Sequence, residues 1–391
     1  MTKRRCIGLA AQVAAIALIA APAVADTTGW SSISDGRFPS ATPPTEWGED
    51  SNVVWKAELP GSSNASPLLI EKKSRLLVLN EPDQILAVDS TDGSIAWSAS
   101  VADIADNRPG AHKANGWTSA TPVTDGERVF AVFGNGVVAA YTLEGNRLWA
   151  RLVQPPKHRW GHSASPVLVE GRLVVHMVDL FGLDPDTGRE LWKQTSEVTW
   201  GSPVSARIQE TDIVITPSGD VFAASDGRRI AAGIGSVQYS TPIVIEGTVY
   251  FIEKRATAVR IPDRLDAPFE QIWQSRIKGS RHYASPLIHD GRIYAVSREQ
   301  DFSILDSKTG RLLHERRLDL DSGSNTAYPS ISLAGDRVYV STENGNTAVL
   351  DPGSTYVEVA RNQIEDFRSS PVFSGERMYI RSFGHLYCFG K

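Results

Sequence analysis

The sequence predicts an all-β fold: an eight-bladed β-propeller of four-stranded antiparallel blades, its ring closed by an N-terminal strand. Three observations predict it. A hairpin phrase recurs eight times, its period is about 40 to 45 residues without helical periodicity, and the last repeat lacks an outer strand that stands spare at the other end of the chain.

The phrase is clearest at residues 282–296, HYASPLIHDGRIYAV, with a strand opening at Ser285-Pro286, a tight turn at Asp290-Gly291 and a returning strand through Ile293, Tyr294, Ala295 and Val296. A Ser-Pro, Thr-Pro or Tyr-Pro step opens every copy, at Pro67, Pro122, Pro166, Pro203, Pro242, Pro286, Pro329 and Pro371. The spacings are 55, 44, 37, 39, 44, 43 and 42 residues. Turns follow at Asp125-Gly126, Glu170-Gly171, Glu246-Gly247, Gly335-Asp336 and Gly375-Glu376, then second strands such as RVFAVF and RVYVST and third strands such as QILAVD and NTAVLD. A polar turn and an outer strand complete each repeat, with tryptophan at Trp97, Trp149, Trp192 and Trp273; Ile230, His314 and Val357 stand near that place in the fourth, sixth and seventh. From Pro371 only two more strands fit before Lys391. The missing one is NVVWKAEL, with Trp55 where a blade-ending tryptophan belongs, and its return would remove the open sheet edges. A large aromatic after a glycine turn is best used as a wedge between blades, so Trp55, Trp97, Trp149, Trp192 and Trp273 are read as structural.

The division is a signal peptide over 1–25, an extended segment over 26–51 and one propeller over 52–391. Lys3, Arg4 and Arg5 precede an Ala/Ile/Leu-rich stretch ending in Ala23-Val24-Ala25, the pattern of a cleaved secretory leader, so export to a periplasmic or extracellular compartment is expected. Cleavage removes three positive charges and no acids, moving the net charge from −5 to −8, a balance that argues against nucleic acid and against docking on an anionic membrane. Cys6 leaves with the leader and Cys388 remains alone, so no internal disulfide can form. No later apolar run reaches membrane-spanning length. A monomer is expected.

AVDSTDGSIAW (87–97) and GLDPDTGRELW (182–192) resemble the A-x-D-x-x-T-G-x-x-x-W docking motif of the quinoprotein alcohol dehydrogenases, and nearly the whole chain past the leader is similar to PQQ-like β-propeller repeat proteins. The stretch DGRFPSATPPTEWGEDSNVVWKAELPG looks like the start of bacterial secreted members of that group, and the same repeat occurs in BamB, a scaffold of the outer-membrane barrel-assembly machinery. The motif speaks for the fold, since it makes contacts between blades. The dehydrogenases also carry adjacent cysteines beside the quinone and acidic and amide ligands for calcium. This sequence has no adjacent cysteines and is shorter, so no cofactor is assigned, with PQQ kept as the alternative.

The segment leading into each innermost strand should lie at one mouth of the channel. Two residues before each proline stand Ala65, Ala120, Ala164, Gly201, Ser240, Ala284, Ala327 and Ser369, all small, as crowding about an axis requires. Just upstream the residues vary: His112, Lys113 and Trp117; Arg159, Trp160 and His162; Trp200; Gln238 and Tyr239; Arg281, His282 and Tyr283; Asn325 and Tyr328; Asp366, Phe367 and Arg368. Variation there is what a ligand-reading ring would show, and equally what unconstrained loops and channel-plugging aromatics would show. The candidate ligand-binding residues are Trp117, Trp160, Trp200, Tyr239, Arg281, His282, Tyr283 and Arg368, acting by stacking and hydrogen bonding. Loops between second and third strands add Glu81, Asp83, Glu253, Arg298, Glu299, Glu343 and His385 to the same face.

No catalytic residue is assigned, for no G-x-S-x-G, H-E-x-x-H or phosphate loop is present. No metal is assigned either: His158 and His162 share one irregular segment without a third ligand at a recognised spacing. The leading reading is a non-enzymatic binding or protein-interaction scaffold, taking a protein partner or a small molecule at the channel mouth. The alternatives are a quinoprotein-type oxidoreductase, with Trp and Arg against an anionic quinone, and a carbohydrate-active propeller stacking sugars on the same aromatics.

Overall fold

The computed structural model describes residues 29, 35–105, 110–320 and 326–391. The proposed leader lies outside them, as do Asn325 and part of the extended segment. Going outward from the axis, blade 1 comprises Leu68–Ile70, Arg75–Asn80, Gln84–Asp89 and Ile95–Ser100, here called strands A to D. The same antiparallel order builds blade 2 (Val123–Thr124 to Arg147–Leu152), blade 3 (Val167–Val169 to Glu190–Gln194), blade 4 (Val204–Ile208 to Arg229–Ala231), blade 5 (Ile243–Ile245 to Glu270–Arg276), blade 6 (Leu287–His289 to Leu312–Arg317) and blade 7 (Ser332–Ala334 to Val357–Gln363). In blade 8, Val372–Ser374, Arg377–Arg381 and His385–Phe389 are completed by Val53–Glu58, paired antiparallel to the third strand with Trp55 opposite Cys388. The ring is closed by the N-terminal strand. Among the described residues the helical content is one 3₁₀ turn, Glu71–Lys73, and no helix is long and apolar enough to cross a membrane.

Local chemistry explains the hairpins. Glu170-Gly171, Glu246-Gly247 and Asp290-Gly291 have positive φ at both residues, the pairing that lets a two-residue turn follow the strand twist. Strands B and C are buried almost throughout, while the D strands expose alternate residues on the rim, among them Leu148, Ile272 and Val359.

Every blade has a register shift between strands C and D, for instance at Ala87/Val88, Gly182/Leu183 and Ala258/Val259. Such a bulge re-aims the following side chain. At that point the tryptophans donate their indole N–H to a carbonyl of the next blade: Trp55 to Ser90 at 3.1 Å, Trp97 to Leu143 at 3.0 Å, Trp149 to Pro185 at 2.8 Å, Trp192 to Ala224 at 2.9 Å and Trp273 to Ser307 at 2.8 Å. The ring lies flat on a glycine of the receiving turn. At Gly188, φ is +66° and an added Cβ would press into the Trp149 ring, so this place excludes any other residue on both counts. The other three blades are placed by the ladder. His314 faces Ile304 as expected, but Ala231 and Ala360, rather than Ile230 and Val357, occupy the tryptophan position, because the bulge offsets a count made from the preceding turn.

The described part of the extended segment packs against blades 7 and 8. Arg37–Phe38 pairs in parallel with the innermost strand of blade 7, on its channel side. Phe38 packs at a tilt against Phe373, the Thr42 N–H reaches the Gly375 carbonyl, and Trp47 packs on Tyr339 and Phe389, which carries the chain out between blades 7 and 8 to the closing strand.

Candidate functional site

A ring of hydroxyls lies where the innermost strands begin. The backbone N–H of Ser66 donates to Thr121 Oγ1, Thr121 to Ser165, Ser165 to Ser202, Ser202 to Thr241, Thr241 to Ser285, Ser285 to Ser330, Ser330 to Ser370, and Ser370 back to Ser66, at distances of 2.8 to 3.1 Å. Eight hydrogen bonds thus close a circle through all eight blades. A hydroxyl before the strand is what lets one blade satisfy the orphan N–H of its neighbour.

This circle corrects the seventh repeat. Ser330, two residues after Tyr328, joins Ser285 and Ser370, so Ile331 replaces the usual proline and Pro329, not Ala327, takes the small-residue place. Proline was a marker of the turn, and the hydroxyl performs the task. The small row is buried as crowding demands: Ala120, Ser240 and Ser369 are at 0 % exposure, and a Cβ at Gly201 would collide with the Ser240 carbonyl.

The corrected register exposes a second tier. Two residues before each hydroxyl stand Asn64, Ser119, Ser163, Trp200, Tyr239, Tyr283, Tyr328 and Arg368, and all eight line a cavity of about 380 Å³ whose floor is the hydroxyl ring. Asn115, Trp160, Gly201 and Arg281 complete the lining. The tier is lopsided. Blades 1 to 3 supply small polar groups, blades 4 to 7 supply four aromatics in succession, and blade 8 supplies a guanidinium.

The aromatics touch one another. His158 stacks on Trp200 (5.9 Å between centroids), Trp200 on Tyr239 (5.5 Å), Tyr239 meets Tyr283 edge-on (5.0 Å), and Tyr283 stacks on Tyr328 (4.7 Å). Arg368 covers Tyr328 at 4.1 Å, and Arg281 covers Tyr239 at 5.5 Å while donating to the Tyr283 hydroxyl at 3.1 Å. Trp160 is 42 % exposed and stacks on His112 at 3.8 Å.

Carboxylates beneath the rim fix the loops. Glu253 Oε1 accepts the N–H groups of Gln238, Tyr239 and Ser240 at 3.0, 2.7 and 3.1 Å. Glu81 Oε1 accepts the Trp117 N–H at 2.6 Å and the Thr118 hydroxyl at 2.5 Å. Burial pushes both carboxyls above the ordinary glutamate range despite these donors. Glu343 holds Arg368 by a 2.5 Å ion pair, so that guanidinium is already neutralised.

Six of the eight residues expected at the mouth therefore line one cavity: Trp160, Trp200, Tyr239, Arg281, Tyr283 and Arg368. Trp117 and His282 do not. Trp117 is 5 % exposed, wedged against Gly134 and Gly161, and faces a neighbouring cavity shared with Glu81 and His112. His282 is 1 % exposed, and burial holds its pKa at about 4. Sequence position puts both in rim loops but carries no sign of which way a loop side chain turns. Tyr328 was visible as a rim residue, and only the register made it part of the arc.

No curated protein matches this chain in sequence. Its fold is similar to that of BamB from Moraxella catarrhalis, with 14% identity and a TM-score of 0.67 over 87% of this chain and 97% of that one. It is also similar to quinohemoprotein alcohol dehydrogenase from Comamonas testosteroni (11% identity, TM-score 0.65, 94% and 81% covered) and to a europium-containing methanol dehydrogenase (9%, 0.64, 93% and 98%). A family model described as outer membrane protein assembly factor BamB matches residues 48–264 and 267–390. With its eight blades, docking tryptophans and closing strand in place, the chain belongs to that family of PQQ-like β-propellers.

Proposed function

We propose that this protein is an exported, non-enzymatic binding propeller that recognises a protein partner or a small molecule over the channel mouth. The observation that carries the reading is the second tier of the cavity, aromatic in four consecutive blades although the hydroxyl tier beneath it runs through all eight. Rigid aromatics with few rotors are economical recognition surfaces, and a concave, mostly uncharged wall with a few polar groups is the usual form of a binding site. Among the described residues the lining holds no carboxylate, histidine, lysine or cysteine, so its serine and threonine hydroxyls have no such base beside them in the lining to activate them.

The residues do not fit the calcium–quinone pair of the dehydrogenases. Cys388 is buried in the third strand of blade 8, and no group of three or more His, Cys, Asp or Glu among the described residues could hold a metal ion. The test is the protein purified from the extracytoplasmic fraction, examined by N-terminal sequencing, visible absorption and native mass. The reading expects a start near Asp26, no quinone absorption, and a bound mass or partner that is lost on combining Trp200→Ala with Tyr283→Ala. A quinone band that survives dialysis would replace it with the oxidoreductase reading.

A further inference from the structure

The hydroxyl circle has a second consequence. Each of its eight oxygens already accepts a backbone N–H, and among the described residues none of the eight hydroxyls donates to a protein acceptor. A hydroxyl carries one hydrogen, which must find an acceptor when the group is buried. All eight side chains belong to residues at 9 % exposure or less, and all eight line the cavity floor. The circle therefore presents donors toward the axis from every side.

The rest of the lining sharpens the sign. No carboxylate among the described residues faces the cavity, and Arg281, unlike Arg368, makes no ion pair among them. A neutral sugar hydroxyl would accept from such a floor but would bring a donor of its own that needs a further acceptor. An anion would bring only acceptors, and hydrogen bonds to a charged oxygen are the stronger kind.

We propose that the hydroxyl ring is an anion subsite, which takes a carboxylate at the channel axis while the group bearing it lies along the Trp200–Tyr328 arc. This rests on the reading of the cavity as the binding site. The carboxylate can come from a free organic acid or from the terminus of a peptide, and the two sources share this chemistry.

The probes are N-acetyltryptophan, which models a peptide terminus, and benzoate, each titrated calorimetrically against its own neutral amide. At least one acid binds about tenfold or more tighter than its amide. Discrimination with N-acetyltryptophan alone assigns a peptide terminus; discrimination with both assigns free acids as well. Thr241→Val removes one donor and shrinks the ratio, whereas Thr241→Ser keeps the hydroxyl and preserves it. Should Thr241→Val fail to fold, Arg281→Gln, at an exposed position, lowers the same ratio. Acid and amide binding equally, both lost in Tyr283→Ala, overturns the anion subsite and leaves the binding cavity standing. Binding of neither at millimolar concentration also overturns it, and the mass released by the Trp200 and Tyr283 substitutions then judges the cavity separately.

Discussion

The blade seams and the channel mouth are both built on aromatic side chains, and they use them in opposite ways. At the seams, Trp55, Trp97, Trp149, Trp192 and Trp273 each place the indole N–H on a carbonyl of the next blade and the ring on its glycine turn. At the mouth, Trp160 is 42 % exposed, and the rings of Trp200, Tyr239, Tyr283 and Tyr328 rest on one another along an open cavity. Repetition goes with saturated bonding, which holds the ring together. Departure from repetition goes with free faces, which are available to something else.

The comparison is tested hardest where the ring closes. The seam between blades 8 and 1 gathers Trp55 and Arg377 on the Ser90 carbonyl, and buried Arg381 donates to the Gly61 carbonyl. Deleting residues 53–58 opens two blade faces at once, so the expected result is loss of soluble, cooperatively unfolding protein. A deletion variant that melts like the full chain would break the account of the seams.

A single seam wedge comes next. Trp192, 7 % exposed, is expected to cost about 3–5 kcal/mol on replacement by alanine, read by denaturant unfolding, with ligand affinity unchanged. If Trp192→Ala weakened binding and spared stability, seams and mouth would have exchanged roles.

Acid separates the two regions differently. Burial holds His162, His176 and His282 at about 4, below the 6.5 of a free imidazole. Their stabilising contribution is complete above pH 6.5 and is lost as pH falls toward 4, since the unfolded chain takes up protons first. Glu81 and Glu253, shifted up by burial, act in the opposite sense, contributing below pH 4.5 and losing that contribution as pH rises. Unfolding midpoints should drop between pH 7 and 5, and His282→Gln should flatten the slope. Because His162 and His282 sit in loops leading into blades 3 and 6, amide exchange should rise there before it rises at the seams. A slope unchanged in His282→Gln would remove that histidine from the account.

The smallest effect is expected at Trp160. Its replacement by alanine should shift stability by no more than about 0.5 kcal/mol, as a substitution at an exposed site, while weakening whatever binds the cavity. A large loss of stability would place Trp160 with the wedges.

The sequence by itself determined the blades, their number, the strand that closes them and the five wedges. Each of those depends on local chemistry that recurs along the chain: a turn pair such as Asp290-Gly291, an apolar run, an aromatic after a polar turn. Repetition turns weak local signals into a strong one. Tertiary structure decided the rest. That Ser330 rather than Tyr328 aligns with Ser285 depends on a hydrogen bond to a serine 45 residues away. That Ala360 rather than Val357 holds the wedge position depends on a bulge between paired strands. That Trp117 turns inward under Gly161 while Trp200 faces the cavity depends on how loops from neighbouring blades fill space. The hydroxyl ring itself exists only once eight separate segments meet at one axis, because each serine or threonine finds its partner on the next blade and none within its own.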